Sequence, residues 1–429
     1  MNNNNREWHI YTKCIQEGWK PKNGEPRVLP IVQSTTFKYE SSETMGDLFD
    51  LKISGDFYTR LSNPTTNAVE AKIAALEGGI GALLTSSGQA ASLMSVINIA
   101  QSGDHIISTA EIYGGTFNLF EKTIRQMGID VTFISVDSDE KEIEAAFRPN
   151  TKLVFAETLS NPGLCVLDIE LFAKVAHKHG VPLIVDNTFP TPINCRPIEF
   201  GADIVVHSTS KYLDGHATAL GGVIVDSGNF DWAASGKFPG LTTPDETYHG
   251  LIYTESFGRV AYITKCRTHL MRDLGAAPSP TNAFYLSQGI DTLHLRMERH
   301  CYNAQRIAEF LENDGRIAWV NYPGLKSNKY YDLAKKYMPN GTSGVISFGI
   351  KGGRKAATRF MDSLKLAAVV THVADLRTCV LHPASTTHRQ LSDEQLEAVG
   401  ITPDLIRFSV GIEHVDDIIA DIDQALSNL

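Results

Sequence analysis

The sequence predicts an α/β fold: a mostly parallel sheet covered by helices on both faces, a smaller α/β unit after it, and an extended arm in front. Three observations carry this. From about residue 66 to 230, short β-branched runs alternate with helix-like stretches. Those runs are apolar throughout, as in strands buried on both faces of a parallel sheet. A second, shorter series of the same kind fills roughly 275–429. At 429 residues the chain is long enough for two or three domains with sizeable cores.

Residues 1–65 are rich in Pro, Ser, Thr, Asn and Gly and show little periodicity, which reads as an arm rather than a packed unit. Val28-Leu29-Pro30-Ile31-Val32 is too apolar for a free tail, so the arm is expected to pack on a neighbouring subunit. Within the large domain, 66–274, helical stretches at 67–77 and 89–100 alternate with runs at 105–108, 131–136, 153–157, 183–186 and 203–207. Ligands of such sheets bind beyond the carboxyl ends of the strands, so the residues after each run matter most. The stretch 230–255, with Pro239 and Pro244, is loop-rich. In the small domain, 275–429, runs at 345–350 and 405–410 alternate with helical stretches at 292–313 and 415–426. There is no internal repeat.

A formal net charge of -10 argues against a nucleic-acid or anionic-membrane partner. The six cysteines, at 14, 165, 195, 266, 301 and 379, form no CxxC pair, which points to reduced, mostly buried thiols rather than disulfides or zinc. Met1-Asn2-Asn3-Asn4-Asn5 lacks an apolar signal core, and no run of about 18 apolar residues occurs. A cytoplasmic location is the default expectation.

The chemistry begins at Asp203-Ile204-Val205-Val206-His207-Ser208-Thr209-Ser210-Lys211. An apolar run ends in hydroxyls and a single lysine, and a glycine turn follows at Gly215. A lysine at a strand exit inside a cleft is desolvated, which lowers its pKa and makes the amine a usable nucleophile and base. Taken alone, a solvent-facing loop lysine is the plainer reading. Val185-Asp186-Asn187-Thr188 puts a carboxylate at another strand exit, where burial demands a partner charge such as a protonated pyridine nitrogen; a helix cap is the alternative. Thr85-Ser86-Ser87-Gly88-Gln89-Ala90 opens an apolar helix and offers free N–H groups to a phosphate. Tyr113-Gly114-Gly115 sets an aromatic ring where it can stack on a planar cofactor, unless it is simply a surface tyrosine. Tyr58-Thr59-Arg60 offers a bidentate grip on phosphate. Arg407, inside an apolar run, needs an anion: a substrate carboxylate or an internal salt bridge. Jointly these supply a phosphate cradle, a ring stacker, a partner for a ring nitrogen, a Schiff-base lysine and a carboxylate clamp.

The set resembles the Cys/Met-metabolism family of pyridoxal-phosphate enzymes over essentially the whole chain. The resemblance is carried by Tyr58-Thr59-Arg60 with Asn63-Pro64-Thr65, Ser87-Gly88-Gln89, Tyr113-Gly114-Gly115, Ser160-Asn161-Pro162, Val185-Asp186-Asn187-Thr188, the Lys211 block, His382-Pro383-Ala384-Ser385-Thr386-Thr387-His388 and the stretch 407–413. It implies a fold type I transferase with a seven-stranded, mostly parallel large sheet and pyridoxal 5'-phosphate (PLP) on Lys211. It also implies Asp186 at the ring nitrogen, Tyr113 on the ring and in proton transfer, and Asn161 near the ring hydroxyl. Ser87, Gly88, Gln89, Thr188, Ser208 and Ser210 complete the cofactor site, with Tyr58 and Arg60 reaching it from the neighbouring subunit of a homotetramer. Arg407, with His372 and Tyr58, is implied to bind substrate.

Chain length, the insert 244–255 and the stretch 390–407 resemble the branch that replaces the acyloxy group of O-acetyl-L-homoserine with sulfur, giving homocysteine and acetate for methionine biosynthesis. Cystathionine γ-synthase or γ-lyase chemistry, and a non-catalytic PLP carrier, are the alternatives. The acyl group and the sulfur donor (sulfide, methanethiol or a thiocarboxylated carrier protein) stay open. Ser210 stands where the family usually has Thr. His372 replaces a usual Ser or Asn close to the substrate carboxylate, and Ala374 a usual Gly. His382 and His388 fit no HExxH pattern and read as structural, so no catalytic metal is expected.

Overall fold

The computed structural model describes residues 7–386 and 402–429. Thr387, His388 and positions 390–401 of the sequence motifs lie outside the described residues. The first sheet holds β1 (Gly81–Thr85), β2 (His105–Thr109), β3 (Asp130–Ile134), β4 (Thr151–Glu157), β5 (Leu183–Asp186), β6 (Ile204–Ser208) and β7 (Gly222–Asp226). Their spatial order is β1-β7-β6-β5-β4-β2-β3. β7 runs antiparallel to both its neighbours, while the pairs β6–β5, β5–β4, β4–β2 and β2–β3 are parallel.

Successive side chains of a strand point to opposite faces. Ile106, Leu153, Phe155, Ile184, Ile204 and Val206 enter one core. Ile107, Val154, Ala156, Leu183, Val185 and Val205 enter the other. Each such aliphatic side chain contributes about 1.5–3 kcal/mol by leaving water, so both faces are stabilised and the strands read as unbroken apolar runs.

The second sheet holds β8 (Ile317–Asn321), β9 (Val345–Ile350), β10 (Ala368–Val369), β11 (Cys379–Leu381) and β12 (Leu405–Ser409), in the order β10-β11-β12-β9-β8. It is antiparallel except for the β10–β11 pair. Ile346, Phe348, Ile406 and Phe408 pack there against Ile307, Leu311, Phe360 and Ile422 of the flanking helices. Among the described residues no helix is long and apolar enough to cross a membrane.

The N-terminal segment differs from a plain extended arm. It contains two short helices, Ile10–Gln16 and Ser42–Phe49, the second capped by Ser41 accepting from Thr44 N. Its apolar stretch is pinned to the start of helix Pro64–Glu77: Val32 N donates to Thr65 Oγ1 at 2.9 Å, Thr65 Oγ1 donates to Pro30 O at 2.7 Å, and Asn63 Nδ2 donates to Val32 O at 2.8 Å. That helix begins where Asn63 caps Thr65 N ahead of Pro64, and it stops at Gly78, whose φ of 81° favours glycine.

Candidate active site

Lys211 occupies the turn after β6. Its N–H donates to Ser208 O at 3.3 Å, and Gly215 N donates to Lys211 O at 2.7 Å. Among the described residues nothing hydrogen-bonds to its amine. Burial first, and then the positive charge of Arg407, pull the ammonium below its ordinary pKa. The group therefore gives up its proton more readily than an exposed lysine.

Asp186 ends β5 and lies in register with Glu157 at the end of β4. Thr188 turns back on it, donating its N–H at 2.9 Å and its hydroxyl at 2.5 Å to Asp186 Oδ1. The same Thr188 oxygen accepts from Ser208 N at 2.9 Å, tying the exits of β5 and β6 together. Burial raises the Asp186 carboxyl, against the opposing Thr188 bond and the His207 imidazole. An acid in this position is stabilised as a carboxylate by a cationic nitrogen brought in from outside, which fits a pyridine ring.

Helix Gly88–Ile97 starts just beyond β1, with Ser87 Oγ accepting from Ala90 N at 3.2 Å. The N–H groups of Gly88 and Gln89 have no partner within the helix. A Cβ at Gly88 would lie 2.7 Å from Ser208 Cβ and 2.9 Å from Ser208 Cα, so only glycine lets the helix end meet the β6 exit this closely. Ser208 and Ser210 share a hydrogen bond at 2.9 Å on the other side. Together they form a small polar cradle at a positive helix end, which suits a phosphate.

Tyr113 follows β2. Its N–H donates to Glu157 Oε1 at 2.6 Å, and its ring stays 49% exposed, free to stack. A Cβ at Gly115 would meet Tyr113 Cε1 at 2.5 Å and Gln89 Nε2 at 2.6 Å, which explains the glycine after this tyrosine.

Arg407 projects from β12 of the second sheet toward the first. Its Nη1 reaches Asn161 Oδ1 at 3.5 Å, and its Nη2 donates to Thr371 O and His372 O, each at 3.2 Å. Its Nε is buried without a partner, and among the described residues the guanidinium makes no ion pair. A buried guanidinium in that state favours an incoming anion. His372 sits alongside, its Nε2 3.8 Å from Asp375 Oδ2. Burial and then the Lys211 charge lower its pKa.

The structure thus gathers Lys211, Asp186, Thr188, Ser87, Gly88, Gln89, Ser208, Ser210, Tyr113, Asn161, Arg407 and His372 around the strand exits of the first sheet and β12, the central strand of the second. Tyr58 and Arg60 stand apart: Arg60 Cζ lies 5.1 Å from the Tyr58 ring centroid, both residues are exposed, and neither hydrogen-bonds to the cradle.

Sequence reasoning passed over Glu157. This carboxyl is buried, holds Tyr113 N–H, and is pushed well above its usual range by burial and by the Asp186 charge. The signal was available, since Glu157 ends an apolar strand just as Asp186 does. A buried network behind the site was also missed: His207 Nε2 with Glu77 Oε1 at 2.6 Å, and Asn187 Nδ2 with the same oxygen at 2.9 Å. His382 is structural as expected, bonded to Ser385 Oγ and Pro403 O at 2.8 Å each. Among the described residues no cluster of His, Cys, Asp or Glu suits a metal.

A family profile described as "Cys/Met metabolism PLP-dependent enzyme" matches residues 11–427. A Leptospira meyeri protein named O-acetyl-L-homoserine sulfhydrylase is 45% identical over 94% of this chain and 93% of its own. A Schizosaccharomyces pombe protein named homocysteine synthase is 46% identical over 97% of this chain and 98% of its own. Among solved structures, a putative O-acetylhomoserine (thiol)-lyase of Campylobacter jejuni superposes with a TM-score of 0.94 at 37% identity, covering 98% of this chain and all of that one. That crystal structure contains a pyridoxyl-lysine monophosphate.

Proposed function

We propose, for a chain that belongs to the Cys/Met metabolism family of PLP-dependent enzymes, a γ-replacement in which a sulfur nucleophile displaces acetate from O-acetyl-L-homoserine to give L-homocysteine in methionine biosynthesis. The observation that carries it is a buried lysine amine in the field of a buried guanidinium that, among the described residues, makes no ion pair. That pair suits an amino acid anchored by its carboxylate and deprotonated at Cα. The relatives named for homocysteine formation supply the choice of substrate.

PLP is the cofactor, and when bound it withdraws electron density from the carbons of an attached amino acid. Lys211 would hold it covalently and, once released, take the Cα proton. Asp186, fixed by Thr188, would hold the proton of the ring nitrogen. Tyr113 would cover the ring and assist proton transfer, and Asn161 would lie near the ring hydroxyl. Ser87, Gly88, Gln89, Ser208 and Ser210 would bind the phosphate. Arg407 would take the α-carboxylate, with His372 beside it.

The exposed Tyr58 and Arg60 would complete the site from the neighbouring subunit, where Tyr58 would also touch substrate. Packing in a homotetramer would cover Val28 and Ile31 of the arm, which are 61% and 43% exposed. An arm over 1–65, a PLP-binding domain over 66–274 and a small domain over 275–429 complete this reading. Six cysteines without a disulfide support a reducing, cytoplasmic setting.

Purified protein with PLP, O-acetyl-L-homoserine and sulfide tests the function, with homocysteine, acetate and 2-oxobutyrate followed together. Homocysteine and acetate in equal amounts are expected. Predominant 2-oxobutyrate would make it a lyase instead. Methanethiol or a thiocarboxylated carrier protein in place of sulfide identifies the donor.

A further inference from the structure

We propose that His372 is a catalytic base for the sulfur donor: its Nε2 accepts the S–H proton as sulfur bonds to the substrate Cγ, so that neutral thiols as well as sulfide serve as nucleophiles. This rests on the γ-replacement proposed above.

Three observations place the imidazole for that role. Its backbone carbonyl is a ligand of the Arg407 guanidinium, so the residue lies where the substrate carboxylate would be held. Its Nε2 lies 3.8 Å from Asp375 Oδ2, a carboxylate placed to receive the charge of a protonated ring. Its Nε2 is buried and has no hydrogen-bond partner among the described residues. A buried ring nitrogen without a partner is costly unless a ligand supplies one.

The groups facing the ring set its protonation. Lys211 and Arg407 oppose an imidazolium, while Asp375 and Asp214 favour it. Cys379, on the adjacent strand β11, turns its thiol to the His372 carbonyl at 3.4 Å and is pushed up to about 11, so it stays neutral. Burial and the two cations prevail, and the ring is held below its ordinary pKa. It is therefore a neutral acceptor at pH 7. Asp375 Oδ2, at 3.8 Å, can then steady the imidazolium once a proton arrives.

The step balances without a further reactant. The S–H bond breaks and leaves its electron pair on sulfur, and the proton goes to Nε2. The S–Cγ bond forms, and acetate departs with the pair of the C–O bond. His372 returns the proton to solvent, which accounts for the one proton released overall. Sulfide, much of it already hydrosulfide anion at neutral pH, needs this help less than a thiol does.

The test uses His372→Asn holoenzyme, with His372→Gln as a second replacement of different reach. Homocysteine formation from sulfide by the wild type is measured first, and its absence would overturn the function beneath the proposal. With methanethiol at pH 7, kcat/KM for the donor is expected to fall by about 100-fold or more in the variants, within the range of general-base catalysis. The loss should be much smaller with sulfide, and it should shrink as pH rises toward the thiol pKa. The wild type should lose methanethiol activity below pH 6.5 as the imidazole gains its proton, and the variants should lack that limb. KM for O-acetyl-L-homoserine and the Kd of the unreactive amino acid norvaline, read from the cofactor absorbance, are expected to stay put. Equal losses with both donors, or a weakened norvaline Kd at unchanged donor dependence, would make His372 a carboxylate-positioning residue and overturn the proposal.

Discussion

Replacing Arg407 by lysine keeps a positive charge on β12 but removes the planar fork. In the structure, two guanidinium nitrogens are engaged by Asn161 Oδ1 at 3.5 Å and by the carbonyls of Thr371 and His372 at 3.2 Å, while Nε is idle. A substrate carboxylate is therefore expected to exchange the long Asn161 contact for a two-point grip. Lysine can offer it one point only, and must also satisfy two carbonyls with a single ammonium. One charge-assisted hydrogen bond lost is about 1.5–3 kcal/mol, which is roughly 10- to 150-fold at 1.4 kcal/mol per decade. The expected result for Arg407→Lys is a rise of that size in KM for O-acetyl-L-homoserine. PLP affinity of the apoprotein, followed by fluorescence quenching, should be unchanged. A variant with wild-type KM, or one whose deficit lies in PLP affinity, would refute the assignment of Arg407 to the substrate carboxylate.

Other positions give independent checks. Gly88→Ala drives a methyl to 2.7 Å from Ser208 Cβ; overpacking of about 1–3 kcal/mol should appear as a weaker PLP Kd in the apoprotein, and an unchanged Kd would contradict the cradle. Glu77→Ala strands the fully buried His207, bonded to it at 2.6 Å; a buried polar group left without its partner costs about 1–3 kcal/mol, readable as a drop in the urea midpoint, and an unchanged midpoint would contradict that role. Asp226 is pushed up to about 7, chiefly by burial. Its folded pKa lies above the unfolded one, so the native state holds the proton more tightly and stability falls as pH rises from about 4 to 7. Asp226→Asn should flatten that slope and gain on the order of 4 kcal/mol relative to wild type at pH 8, measured by urea unfolding at pH 5 and pH 8. An undiminished slope in the variant would place the titration elsewhere.

The legible parts of the fold were those written locally. β5 and β6 are short β-branched runs with both faces buried, and their exits carry Asp186 and Lys211 in plain sight. β1, by contrast, reads Gly81-Ala82-Leu83-Leu84-Thr85 and has no β-branched residue before its last position; it becomes a strand by pairing with β7 in the register Gly81↔Asp226 to Thr85↔Gly222, whose nearest partners are 137 positions apart. No local pattern encodes such a pairing. The site divides in the same way. Lys211, the helix start at Gly88 and Tyr113 sit in motifs of a few residues. Glu157 acquires its importance from its neighbour across the strands, and His372 from a guanidinium 35 positions on. Both needed the packing to be recognised. The two short helices of the arm were hidden because seven or eight residues make too few turns for a period to emerge.

On the proposed reading, the placement of Arg407 and Lys211 on different sheets has a consequence for the reaction. Each cation disfavours the other's neighbour: Arg407 lowers the pKa of Lys211, and both lower that of His372. A substrate carboxylate arriving at Arg407 cancels part of that field. Lys211 and His372 then become better proton acceptors when an amino acid is in place, and poorer ones when the site is empty. Basicity that rises with occupancy reserves proton abstraction by Lys211, once released from the cofactor, for bound substrate. A ligand with the amino group but no carboxylate should forfeit both the anchor and this gain, so its deficit should appear in the rate of Cα–H exchange as well as in KM.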